Sequence, residues 1–430
     1  MKKKSKWISR LRNNSLIDLL FTLEGNPKVL ILLEPLWGIP YYLINPYASL
    51  YMRDIGLSKI QIGSLQSIFM ISQVIIGLFA GALADQFGRK KTTVFGDFFG
   101  WSVAMLMFAI SNNYWMFVLA YFFNSFEQIN QTSWVCLLVE DAKDKDILNI
   151  HNWVTIGGMV AVIFAPLSGL FINHFSIVPV LRVLYVVFSI NMFFKSYITL
   201  KYCTETQIGK MKMAENKNES LFSMVKKNYS ANTLKSFFAH GPKVRILLIQ
   251  AIYGAARMIM TTFTNIYAKE QLNVPETFLS FIPIISTGIM ILFMFGLQDK
   301  IKKIKIPMVV GTLLYIGSQL MLIVIPKDNL LMFILYTVVE AVCFALVFPR
   351  KSSLETFSLD KNDRARELAL LTTLTLVLTS PFGSIAGALS ELNPILPFIL
   401  NMGLFALGFL VLLKVKEPDP YSEAKQEIAA

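Results

Sequence analysis

The sequence predicts an all-α polytopic membrane protein with twelve transmembrane helices in two pseudo-symmetric six-helix bundles. Three observations predict it. The chain is 54% hydrophobic and only 16% charged over 430 residues, whereas soluble domains carry about 25% charged residues. Its mean hydropathy is +0.55. Its apolar residues fall into runs of about 20, the length a helix needs to cross a bilayer. The runs are 28–51, 59–83, 93–110, 114–139, 152–174, 177–200, 244–267, 276–298, 307–325, 329–349, 367–390 and 393–415. A large soluble helical protein does not explain so many long runs joined by such short loops.

The net charge of +12 is a matter of topology, because its location is ordered. With the N-terminus inside, most Lys and Arg fall on cytoplasmic segments. Arg53, Lys59, Arg182, Lys269 and Lys327 fall outside, and Lys195 and Arg257 lie within spans. This asymmetry puts both termini in the cytoplasm, makes the lipid bilayer the partner of the basic residues and argues against nucleic acid. Cys136, Cys203 and Cys343 make no disulfide framework. His151, His174 and His240 form no metal-ligand cluster. The start, MKKKSKW, is not followed promptly by a signal-peptide core, so no cleaved signal is expected. Residues 1–27 read as a cytoplasmic tail, either with a short interfacial helix or simply solvated.

The longest polar gap, 201–243, separates the N-terminal bundle (28–200) from the C-terminal bundle (244–415), with a cytoplasmic tail at 416–430. Its segment SLFSMVKKNYSANTLKSFF predicts one or two amphipathic helices. Features recur at half the chain length. Asp85 pairs with Asp299, Gly96 with Gly311, Glu127 with Glu340 and Pro166 with Pro381, all at offsets of about 213–215. Such duplication is a mark of repeat-built transporters.

Between spans two and three lies GALADQFGRKK, Gly81 to Lys91. Arg89, Lys90 and Lys91 obey the inside rule, Gly81 lets a helix approach closely, and Gly88 permits a tight turn. With twelve spans in two sixfold halves, this loop resembles the signature of the major facilitator superfamily. Gly81, Leu83, Ala84, Asp85, Gly88, Arg89, Lys90 and Lys91 carry the likeness. FGLQDKIKKIK, with Asp299, is a degraded second copy. The resemblance implies a cytoplasmic gate. Asp85 would face the start of span eleven, near Arg364 to Glu367, and Arg89 would join a charge cluster with Glu140 and Asp141. The plainer alternative makes Arg89 to Lys91 topology signals only.

Ionisable residues inside a membrane are costly, about 2.5–3.5 kcal/mol each at a helix centre, and so are functional candidates. Glu34, Glu127, Arg257 and Glu340 stand on spans one, four, seven and ten, which line the central cavity if the superfamily resemblance holds. Helical spacing extends them into stripes: Glu34, Trp37, Tyr41 and Asn45; Asn124, Glu127, Gln128 and Gln131; Gln250, Tyr253, Arg257, Thr261 and Thr264; Tyr336 and Glu340. Such stripes face water or each other. Either they form a substrate and proton site, or an acid pairs with Arg257 to hold structure. Lys195 and Arg182 read as snorkelling ends of span six.

Three acids against one base cannot all ionise cheaply in a low-dielectric site. The expectation is a proton-coupled secondary transporter with Glu127 or Glu340 as proton carrier and Arg257 as counter-ion. No cofactor is expected beyond a proton or ion gradient. A monomer in the cell membrane, acting on a small-molecule substrate, is expected. Prolines 35, 40, 46, 166 and 381 predict breaks in spans one, five and eleven. Ala165, Pro166 and Gly169 partly match the span-five signature of the superfamily's drug antiporters, and Trp37, Tyr41, Tyr42 and Tyr253 suit an amphipathic or cationic solute. The aromatics lean toward export; the incomplete span-five match and the absence of the family's usual span-four Arg signature, where Glu127 and amides stand, do not. Arg257 could equally hold the carboxylate or phosphate of a nutrient taken up. A membrane sensor or scaffold that moves nothing remains as a different class. No nucleophile–base set and no P-loop is found, so neither an enzyme nor direct ATP drive is expected.

Overall fold

In the computed structural model of the protein, residues 23–142, 144–230, 235, 237–296, 303–358 and 364–416 are described. The expectations for residues 1–22, for Asp299 and for the tail beyond 416 lie outside the described residues, as does the side chain of Gln131. The chain is all-α, and among the described residues there is no strand. Among the described residues, nine helices are long and apolar enough to cross a membrane.

The three expected spans outside that set are one, four and eight, each divided into shorter helices. Span one is Gly25–Ile44, with Pro35 and Pro40 inside it, then a short 3-10 turn at Asn45–Tyr47 and a last helix Ala48–Asp54. Span four is Tyr114–Asn124 and Glu127–Val139, broken between them. Span eight is Glu276–Leu279 and Ile282–Gly296. The others are two, Lys59–Phe87; three, Arg89–Asp97 continued through a π-helical segment Phe98–Val103 to Ala104–Ile110; five, Asp144–Val162 and Ala165–Phe175; and six, Ile177–Tyr202. In the second half they are seven, Gly241–Glu270; nine, Lys305–Val324; ten, Leu330–Ser358; eleven, Arg364–Thr379 and Pro381–Leu392; and twelve, Leu396–Leu413.

The breaks in spans five and eleven come at Pro166 and Pro381, where a missing N–H ends one helix and suits the first turn of the next. The gap after span six carries helices Gln207–Glu215, capped by the Thr206 hydroxyl, and Leu221–Asn228. Leu331 is 77% exposed and Leu292 74%. Such outward apolar side chains belong against lipid, the reverse of a soluble surface.

The chain forms two compact units. One comprises Met1–Ala48 with Ser72–Val225, the other Ser49–Ile71 with Lys226–Ala430. In the first, span one packs on spans five and six, and span three on spans four and six. Ile76 and Ala80 of span two meet Ile129 of span four. In the second, span seven packs on spans eleven and twelve, and span nine on spans ten and twelve. Met290 of span eight meets Ala345 and Leu346 of span ten. Each unit thus repeats the other's pairing of spans.

The end of span one and the start of span two are held in the second unit. Arg53 and Lys59 clasp the Glu270 carboxylate at 2.7 and 2.8 Å, and Lys269 bridges Asp54 and Glu276 at 3.0 and 2.8 Å. Glu391 accepts the Lys59 backbone N–H at 3.0 Å, and Ser67 accepts the Ser384 N–H at 2.9 Å. Between them the backbones touch: a Cβ placed on Gly63 would lie 2.2 Å from the Gly383 carbonyl oxygen.

Candidate functional site

The first unit carries the stripe of span one. Trp37 stacks on Tyr41 with ring centroids 4.8 Å apart, and Trp101 of span three stands edge-on to both at 5.6 and 6.4 Å. Tyr42 meets Tyr41 edge-on at 5.3 Å. On span four, Glu127 opens the second half-helix immediately after the break. Its carboxylate accepts a hydrogen bond from the Gln73 amide at 2.9 Å. Asn124, just before the break, donates to the Gly100 carbonyl at 2.7 Å. That carbonyl lies in the π segment of span three, where the irregular backbone frees groups for side-chain partners. Gln128 packs toward Gly77 of span two.

Glu34 is not an isolated acid near a helix end. The Lys195 ammonium lies 3.7 Å from Glu34 and 3.5 Å from Asp97, and Asn130 donates to Asp97 at 2.6 Å. The expectation that Lys195 snorkels is therefore corrected: the residue is only 4% exposed. Two carboxylates inside the unit hold it there, a stronger pull than water at the membrane surface. Arg182, by contrast, is partly exposed and donates to Asn112 in a loop.

In the second unit, Arg257 and Glu340 form an ion pair at 2.9 Å, with the guanidinium 4.7 Å from the Phe344 ring centroid. The Arg257 side chain is 39% exposed and that of Glu340 13%. Tyr253 is fully buried, bonded to the Thr312 hydroxyl and edge-on to Phe405 at 5.8 Å. Tyr336 is buried against Phe333. Gln250 links Lys351 and Glu355 one helix turn apart on span ten.

Of the candidate gate residues, Gly81, Asp85, Gly88, Arg89, Glu140 and Asp141 lie in the first unit. Arg89 reaches Asp85 at 2.6 Å and Glu140 at 3.1 Å. Glu140 also accepts from the Thr206 hydroxyl at 2.5 Å, and Asp141 from the Gln207 N–H at 3.2 Å. Gly88 has φ +89°. Among the described residues nothing lies within 4 Å of a Cβ placed on Gly81. Glu205, just past span six, accepts the N–H groups of Arg89 and Lys90 at 2.8 and 3.0 Å. It thereby satisfies the first free amides of span three.

Sequence reasoning missed Asp97, Lys195, Gln73, Trp101 and Glu205. Asp97 and Lys195 carried a signal. Glu34 stands nine residues after Gly25, Asp97 eight after Arg89, and Lys195 seven before Tyr202. At about 1.5 Å per residue, antiparallel neighbours then bring all three to one depth.

The family model described as Major Facilitator Superfamily matches residues 36–349 and 246–429. The chain is 36% identical over 78 residues to the quinolone resistance protein NorA of Staphylococcus aureus; that match spans 18% of this chain and only 20% of NorA. The crystal structure of the nucleoside transporter NupG superposes with a TM-score of 0.68 at 17% identity, covering 91% of this chain and all (100%) of that one. That of the peptide transporter POT in complex with sulfate gives 0.66 at 14% identity, covering 90% and 94%. These two likenesses are of fold. The family match extends over most of the chain, and the protein belongs to the Major Facilitator Superfamily of multi-pass membrane transporters.

Proposed function

We propose that the protein is a proton-coupled secondary transporter that exports a small amphipathic or cationic compound by alternating access. It works as a monomer in the cell membrane with both termini cytoplasmic. Glu127 or Glu340 carries the proton, and Arg257 is the counter-ion. The observation that carries this reading is the contrast between the two repeat-related acids. Glu340 is neutralised by Arg257 at 2.9 Å, while Glu127 is held by the neutral amide of Gln73. An acid held by an amide inside a membrane protein is costly when charged. It can take a proton, or trade it for a cation. The Trp37, Tyr41 and Trp101 rings in the same unit offer aromatic faces to such a solute. Protonation of Glu340 would cancel its attraction for Arg257 and free the guanidinium. The match to a quinolone resistance protein supports a drug-like compound as the solute.

Uptake of an anionic nutrient is the second reading. The half-exposed Arg257 side chain favours it, since a guanidinium open on one side can take a carboxylate or phosphate. The test is flux in proteoliposomes with an imposed pH gradient. Glu127→Gln and Glu340→Gln should each be compared with the parent protein. Loss of gradient-driven uphill flux in at least one of them is expected. If both variants still concentrate solute as the parent does, the assignment of the carrier is wrong.

A further inference from the structure

We propose that Glu34, Lys195 and Asp97 form a second proton-binding site, inside the first unit and separate from the Arg257–Glu340 pair. A proton exchanges on one carboxylate while Lys195 closes on the other. The proposal deepens the proton-coupled reading, but its first test needs no gradient and no substrate, so the two can fail separately.

The geometry is that of a shared cation. Lys195 stands 3.7 Å from Glu34 and 3.5 Å from Asp97, whereas Arg257 is committed to Glu340 at 2.9 Å. With Lys195 charged and both acids ionised the cluster carries one net negative charge. One proton makes it neutral. Uptake forms an O–H bond on a carboxylate oxygen, and release breaks the same bond. Asp97 is 2% exposed; Asn130 donates to its Oδ1, and its Oδ2 makes no hydrogen bond and faces the Lys195 ammonium 3.5 Å away. A buried carboxylate oxygen whose counter-ion is shared and stands beyond a short hydrogen bond is a place for a proton. The buried hydroxyls of Ser196 and Thr199, beside and one turn beyond Lys195 on span six, are also unpartnered.

At the repeat offset of 215, Asp97 of the first half corresponds to Thr312 of the second, whose hydroxyl bonds Tyr253. A neutral residue takes the place of the carboxylate there, so a charge at this position is not a requirement of the repeat.

Among the described residues, few groups face the cluster from the packed elements. Span one gives Glu34, span three Asp97, span six Lys195 and span four the neutral Asn130. Span five presents Gly157 to Glu34. The side chain of His151, on span five, is outside the described residues and needs its own control.

All six tryptophans, at 7, 37, 101, 115, 134 and 153, lie in the first 153 residues. Trp37 follows Glu34 by three residues and Trp101 follows Asp97 by four; the two rings touch at 5.6 Å. Tryptophan fluorescence of the purified full-length protein, titrated from about pH 4 to about pH 9, spans the range in which perturbed carboxylates exchange protons. A single reversible transition is expected in the parent, in Glu340→Gln and in His151→Gln. It should vanish or change amplitude at least twofold in Glu34→Gln and Asp97→Asn. In Lys195→Met it should move to higher pH, because two acids without a cation hold a proton more tightly. Thermal unfolding of each variant, run alongside, checks that it is folded. No transition in the parent, loss of it in His151→Gln, or an unaltered one in both acid variants overturns the proposal. If the transition behaves as described but a pH gradient drives no flux in proteoliposomes, the site stands and the transport coupling falls.

Discussion

Glu205 and Gly88 make one contact at the turn between spans two and three, and a double-mutant cycle can weigh it. A Cβ placed on Gly88 would lie 2.4 Å from Glu205 Oε2 and 2.7 Å from Met213 Sδ. Gly88→Ala therefore forces the Glu205 carboxylate away from the amides it caps. The backbone there, φ +89° and ψ 159°, is nearly confined to glycine; holding Ala in it costs about 1–3 kcal/mol. Glu205→Ala removes two charge-assisted hydrogen bonds, at 2.8 and 3.0 Å. Such bonds are worth about 1.5–3 kcal/mol each when buried, and about 2–4 kcal/mol is expected for this half-buried pair together. Because Gly88→Ala already disturbs those bonds, the double variant should fall short of the sum by about 1–2 kcal/mol. With about 2.1 cal/mol/K of unfolding entropy per residue, a chain of 430 residues loses roughly 1 °C per kcal/mol. The cycle is read by thermal unfolding in detergent, each single variant lowering Tm by about 2–5 °C. Additivity within about 0.5 kcal/mol would refute the idea that Glu205 is what Gly88 makes room for.

Three further outcomes follow from the same reasoning. Glu270→Gln leaves Lys59, whose side chain is 9% exposed, without its ion-pair partner; stability should drop by about 1–3 kcal/mol and recover partly in Glu270→Gln/Lys59→Met, as read by thermal unfolding. Gly387→Ala places a methyl 2.7 Å from the Lys59 carbonyl oxygen. It must push spans two and eleven apart at a cost of about 1–3 kcal/mol, seen as a lower Tm and weaker cross-linking between cysteines introduced on the two spans. Burial pushes the Cys203 thiol up to about 11, so its thiolate is scarce at neutral pH. Maleimide labelling of a variant with this cysteine alone should be at least about 100-fold slower than a free thiol's near pH 7.5 and rise about tenfold per pH unit; labelling at the free rate would contradict the burial.

The architecture was legible because lipid imposes a crude rule, long apolar runs bounded by charge, and the repeats at 213–215 announced two halves. Prolines marked the breaks at residues 166 and 381. The break in span four at Ser125–Phe126 has no proline, and arises where the π segment of span three supplies a carbonyl to Asn124; nothing local in the sequence announces it. Arg257 and Glu340 were singled out by their charge alone, and their pairing was one of the alternatives left open. The triad was half visible. Glu34 stood out, but Asp97 and Lys195 lie near span ends, where charge is ordinary. Only their common depth on neighbouring helices joins partners 63 to 161 residues apart. Glu205 sits in a polar linker, where one more acid carries no signal. The attachment of residues 49–71 to the second unit rests on Glu270, Glu391 and Ser384, all distant in sequence.

The central claim is that buried acids couple solute movement to protons. The direct measurement is a reversal experiment in proteoliposomes: a fixed solute gradient is opposed by stepped pH gradients, and the pH difference that stops net flux is recorded. A coupled carrier gives a null point that moves linearly with the logarithm of the solute ratio and disappears when the responsible acid, Glu127 or Glu340, is replaced by Gln. Flux that stops only when the solute ratio reaches one, whatever the pH difference, would contradict the account.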